Sequence, residues 1–161
     1  MADKFYLATI IVKTEGDDVK SLVEKPSYNA AEQALYQEVA YQMIYPGNDF
    51  VRCEILNHLG ASLKNESWTR KEIPEPVEGE PVPAEPVPVE VPQKYYRMAM
   101  KTNTEEPVTP TLFEYETEDE ALYAYYDAFA QDMLNPDFTL LVQRIEDTQG
   151  SQIKHEYKDL T

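Results

Sequence analysis

The stretch Lys94–Lys158 decides the fold. It opens with KYYRMAMKT (94–102) and runs through EYETEDEALYAYYDAFAQDMLNP (114–136). Set against Lys4–Trp68 at a constant offset of 90 residues, it gives 16 identities in 65 ungapped positions; chance would give about four. The identities include Tyr6/Tyr96, Ala31/Ala121, Tyr36/Tyr126, Met43/Met133, Pro46/Pro136, Ile55/Ile145, Gly60/Gly150, Lys64/Lys154 and Glu66/Glu156. Ser27/Thr117 and Val39/Phe129 are conservative pairs. Core apolars, a helix-stopping proline and a turn glycine are what a duplicated architecture retains. No His or Cys is shared, and the shared Lys and Glu look scattered, so the repeat does not point to a duplicated active site.

Within each copy the periodicity predicts ββαββ. KFYLATIIVK (Lys4–Lys13) is β-branched and aromatic, as a strand requires, and Lys20–Lys25 returns as its hairpin partner. From Asn29 to Tyr45 the residues Ala31, Leu35, Val39 and Met43 recur at helical spacing, widened by Tyr28, Tyr36 and Ala40. Asn29 followed by Glu32 has the form of an N-terminal cap, and Pro46-Gly47-Asn48 ends the helix. Phe50–Asn57 and Ser62–Arg70 read as a second pair of strands around Gly60. In the second copy the strands fall at Lys94–Thr102, Thr111–Tyr115, Phe138–Glu146 and Gln152–Tyr157. Its helix begins at the capping box Thr117–Glu120 and runs to Leu134. The expected fold is α+β: two tandem modules, each an antiparallel four-stranded sheet with one helix on one face. Residues 1–71 form the first module, 72–93 a linker and 94–161 the second.

The linker holds seven of the chain's twelve prolines, interleaved with Val and Glu. Such a segment cannot pack a core and favours an extended spacer; at about 3.1 Å per residue, twenty residues reach at most roughly 60 Å. Cutting near Gly79 is then expected to leave two folded halves.

The chain carries 14 basic and 30 acidic side chains, a net charge of −16. Direct nucleic-acid binding is not expected, because phosphate contacts need clustered Lys and Arg. Cys53 is the only cysteine, which excludes an intramolecular disulfide framework and fits a reducing, cytoplasmic setting. No apolar run approaches a membrane span, and none has the form of a signal peptide. His58 and His155 have no partner at ligand spacing, and Cys53 alternates with Val51 and Ile55 as a core residue would. Nothing resembles a nucleophile–base pair, a phosphate loop or a zinc spacing. The chain therefore reads as no enzyme, with no cofactor and no metal.

Two surfaces stand out as binding candidates. One helix covers one side of a sheet, and alternation offers Phe5, Leu7 and Ile11, with Tyr95, Arg97 and Lys101 at the repeat-equivalent places, as the open side. The second surface is acidic and tyrosine-rich: Glu114 and Glu116 from a strand, Glu118, Asp119 and Glu120 from the helix start, and Tyr123. The reading that follows is a non-enzymatic protein-binding adaptor or inhibitor, its two modules giving bivalent engagement of a protein partner. A basic partner would suit the acidic surface. A nucleic-acid mimic that inhibits a DNA- or RNA-binding protein is one alternative. A self-associating structural or assembly protein, for instance of viral origin, is another.

Overall fold

A computed structural model describes residues 4–71, 93–102 and 110–161. Both modules have the expected topology. In the first, β1 (Phe5–Lys13), β2 (Val19–Lys25), α1 (Tyr28–Met43), β3 (Asn48–Asn57) and β4 (Ser62–Thr69) give a sheet of order β2-β1-β3-β4. In the second, β5 (Tyr95–Thr102), β6 (Thr111–Tyr115), α2 (Glu118–Asp132), β7 (Leu140–Asp147) and β8 (Gln152–Asp159) give β6-β5-β7-β8. Every neighbouring pair of strands is antiparallel. The Pro/Glu segment, with Gly79, and residues 103–109 lie outside the described residues.

Local chemistry explains the boundaries. Both helices are capped at the same repeat position: the Ser27 hydroxyl accepts from the Ala30 N–H at 3.1 Å and the Thr117 hydroxyl from the Glu120 N–H at 3.2 Å. Thr117 completes a capping box, since the Glu120 carboxylate accepts from the Thr117 N–H at 3.2 Å. The Asn29–Glu32 cap expected for α1 does not form. Ser27 lies two residues earlier and takes the role, which frees Glu32 to turn inward. The β3–β4 and β7–β8 turns are also copies. Asn57 Oδ1 accepts from Leu59 and Ala61, and Asp147 Oδ1 from Gln149 and Ser151. Gly60 and Gly150 sit at φ +80° and +79°, where a Cβ would be strained.

The sheet faces are the reverse of the expected ones. Register pairs Leu7 with Ile55, Thr9 with Cys53 and Ile11 with Val51, and all six are buried. That row faces α1. Phe5 meets Tyr28 of α1 edge-on, with ring centroids 5.9 Å apart. In the second module Tyr95 packs on the core cluster and Arg97 is buried. Lys101 Nζ lies 2.5 Å from Asp132 Oδ1 of α2. Phe5, Leu7, Ile11, Tyr95, Arg97 and Lys101 thus line the helix-covered side. The open sides carry the alternate rows, Tyr6, Ala8, Ile10 and Val12 on β1 and Tyr96, Met98, Met100 and Thr102 on β5.

The helices pack on one another between the two sheets, so a single buried cluster runs through both modules. Tyr36 and Tyr126, repeat-equivalent and both buried, lie with centroids 6.0 Å apart; Tyr36 also packs on Phe129 at 4.9 Å. The lysines and glutamates that look scattered in sequence meet here reciprocally. Lys64 of β4 donates to Glu156 of β8 at 2.8 Å, and Lys154 of β8 donates to Glu66 of β4. Each ammonium also lies over a tyrosine of its own module, Lys64 over Tyr36 at 5.0 Å and Lys154 over Tyr126 at 5.5 Å. The halves are therefore related by an approximate two-fold axis, with residue i meeting j and i+90 meeting j−90.

Candidate functional site

A largely buried polar ring lies between the modules. Glu32 accepts from Lys64 at 2.9 Å and from Lys158, and the Tyr126 hydroxyl donates to Glu66 at 3.0 Å. Burial pulls the Lys64 pKa down, but hydrogen bonds to Glu156 and Glu32 more than offset it, and the net shift is upward. The Tyr36, Tyr125 and Tyr126 phenols are pushed up, first by burial and then by the neighbouring carboxylates. The ring fixes one relative placement of the modules. Its cations and anions satisfy one another, which suits a structural role.

Cys53 is buried, with its thiol 3.8 Å from the Thr9 hydroxyl. Burial pushes the thiol up to about 12, against the weaker opposing effect of Thr9, so the thiolate is scarce near neutral pH. Both His58 and His155 are exposed.

The outward sheet faces come next. On the first, Tyr6, Ala8, Ile10 and Val12 of β1 are flanked by Leu22 of β2 and by Phe50 and Leu56 of β3. Ile10 is 38 % exposed and Leu22 62 %. The ion pair Arg52–Glu54, at 3.5 Å, crosses this surface. On the second, Tyr96, Met98 and Met100 lie beside Leu112, Leu140 and Val142, with Tyr157 at 59 % exposure and the pair Arg144–Glu146 at 3.0 Å. Among the described residues no element packs over either face. Because both inner faces look into the shared core, the outer faces point away from one another.

The acidic, tyrosine-rich surface is largely committed to internal contacts. Glu114 pairs with Lys94 and Glu118 with Lys71. Asp119 accepts from the Trp68 indole at 3.0 Å, and Glu120 closes the cap. Of the five acids only Glu116 has no such partner among the described residues, and it is exposed like Tyr123. Tyr41 of α1 and Tyr45 just beyond its end form an exposed tyrosine pair, their hydroxyls 2.6 Å apart.

Beneath each hairpin a groove opens between strand and helix, because the helices leave the inner side of β2 and β6 uncovered. In the first module it is lined by Leu7, Thr9, Ser21, Val23 and Glu38 among others. In the second it is lined by Arg97, Ala99, Lys101, Thr111, Phe113 and Ala128. Sequence reasoning missed these grooves. Arg97 and Lys101, which alternate on one row with Ala99, were the available signal.

Among the described residues no helix is long and apolar enough to cross a membrane. Compared with known proteins, the chain matches no family model, no curated protein and no solved structure.

Proposed function

We propose that the chain is a non-enzymatic protein-binding adaptor that engages partners through the outward faces of its sheets. The supporting observation is the apolar row Tyr6, Ala8, Ile10 and Val12, with Leu22 and Phe50 beside it, left without a covering element. Exposed apolar sheet surface of this kind marks an interaction site. Two such faces directed apart favour bridging two partners over clamping one, which turns bivalency into an adaptor's geometry. The acidic surface supports a mimic of nucleic acid less well, because four of its five acids already hold lysines, an indole or a helix cap.

The test is affinity capture from the source cells with the full chain, Ile10→Glu and Met100→Glu, at low and high salt. Ile10 is exposed and Met100 half-buried, and cooperative thermal unfolding of each variant confirms that it is folded before capture. A partner held by an apolar face stays bound in high salt and is lost with one of the two substitutions. Salt-released binding that ignores both substitutions overturns the reading and returns the role to the carboxylates.

A further inference from the structure

The groove beneath the second hairpin is a cavity of about 160 Å³ with an arginine in its wall. Arg97 is only 6 % exposed. A guanidinium so far from water normally faces a carboxylate, because desolvating an unpaired charge is costly. Among the described residues no carboxylate pairs with Arg97. Its Nη1 donates to Gln143 Oε1 at 2.9 Å and its Nε to the Tyr115 hydroxyl at 3.3 Å. Its flat face lies 4.3 Å from the centre of the Phe113 ring. These neutral partners orient the fork without cancelling its charge.

The second cation of the wall does not change the sum. Lys101 is paired with Asp132, whose other oxygen is buried with no hydrogen-bond partner. Arg97, Lys101 and Asp132 together leave one positive charge, in a chain whose net charge is −16. The fold does not need an arginine there. The repeat-equivalent residue is Leu7, in an equivalent strand of an equivalent sheet, and Ile11 stands in for Lys101. Of the rest of the lining, Phe113, Ala99 and Ala128 are apolar and Thr111 adds a hydroxyl-bearing side chain.

We propose that this cavity binds a small organic monoanion, a carboxylate carried on a compact apolar or aromatic body. The carboxylate takes the remaining N–H groups of Arg97, in the geometry a guanidinium fork favours. The body rests on Phe113, Ala99 and Ala128. The volume is close to the roughly 150 Å³ of an engineered cavity that holds one benzene ring, which suits a single-ring acid. The site is separate from the outward faces, so its success or failure leaves the adaptor reading untouched.

The experiment is titration of the ¹⁵N-labelled full chain with sodium benzoate, and with benzamide as the neutral isostere, followed by NMR. Benzoate is expected to give saturable shifts at the Arg97 Nε–H and the Phe113 amide, with benzamide weaker by about tenfold or more. Arg97→Leu, which installs the first module's residue, removes the response while the spectrum stays dispersed. Should that variant fold poorly, Arg97→Lys replaces it; loss of the fork then weakens benzoate binding while its advantage over benzamide persists. Absence of saturation in the wild-type chain, equal binding of benzamide, or unaltered benzoate binding in the folded variant overturns the proposal.

Discussion

The two modules share a backbone plan and differ in what they place inside it. The first buries Leu7, Ile11 and Cys53 under its helix; the second has Arg97, Lys101 and Gln143 at those places. At the far edge, Trp68 of β4 reaches Asp119 at the start of α2, whereas its counterpart Lys158 reaches Glu32 near the start of α1. The same junction is thus made once by an indole and once by an ammonium. By contrast, the tyrosines and the Lys–Glu pairs nearest the axis are unchanged between copies. The difference teaches that the axial contacts are what the scaffold requires, and that the ground beneath each hairpin is open to change.

The strongest challenge to this comparison is at the axis. Tyr36→Ala and Tyr126→Ala should each cost about 3–5 kcal/mol, as other buried aromatics do. Urea denaturation of the full chain reads both losses. A near-silent result for either would separate the modules energetically and break the shared-core description.

The reciprocal bridges should differ in a way that exposure sets. The Glu66 side chain is 8 % exposed and that of Glu156 is 20 %. Glu66→Gln should cost about 2–3 kcal/mol and Glu156→Gln about 1 kcal/mol, because the drier carboxylate is replaced where water cannot compensate. Equal costs in chemical denaturation would mean that solvent reaches both alike.

The smallest effect is alkaline and belongs to the first module. Cys53 titrates ordinarily at 9.0 and is raised to about 12. Its contribution is complete below pH 9 and is lost as pH climbs toward the folded value, at no more than about 1.4 kcal/mol per pH unit. The buried phenols, raised from 10.0, add to the loss at higher pH. Cys53→Ala should flatten the stability curve between pH 9 and 10. A slope identical to that of the wild-type chain would show that the thiol is not desolvated.

Most of the architecture was legible because it was written twice. Among the described residues the offset of 90 pairs each strand and helix of one copy with its counterpart in the other. The first helix's start was not legible: Thr117 has the plain form of a capping residue, its partner Ser27 does not, and Asn29, which has that form, stands in the wrong place. The faces were harder. β1 is apolar on both sides, so alternation separates two rows without saying which one the helix covers. The deciding information lay in β3, where Val51, Cys53 and Ile55 alternate with Arg52 and Glu54, and it reaches β1 only through the register Leu7–Ile55. Charge misled as well: Arg97 and Lys101 invite an outward placement, yet a cation–π contact, a glutamine and an aspartate hold them inside. The meeting of Lys64 with Glu156 depends on how the halves dock, which periodicity within one half does not encode.

The approximate two-fold has a consequence for how such a molecule changes over time. In a homodimer each mutation strikes both sides of the axis at once, so no junction improves on one side alone. A covalent tie between the halves lifts that constraint. Trp68 and Lys158 no longer have to agree, and a guanidinium can enter one subunit-like half while a leucine stays in the other. Gene fusion of this kind converts a symmetric assembly into one with a left and a right on one inherited frame.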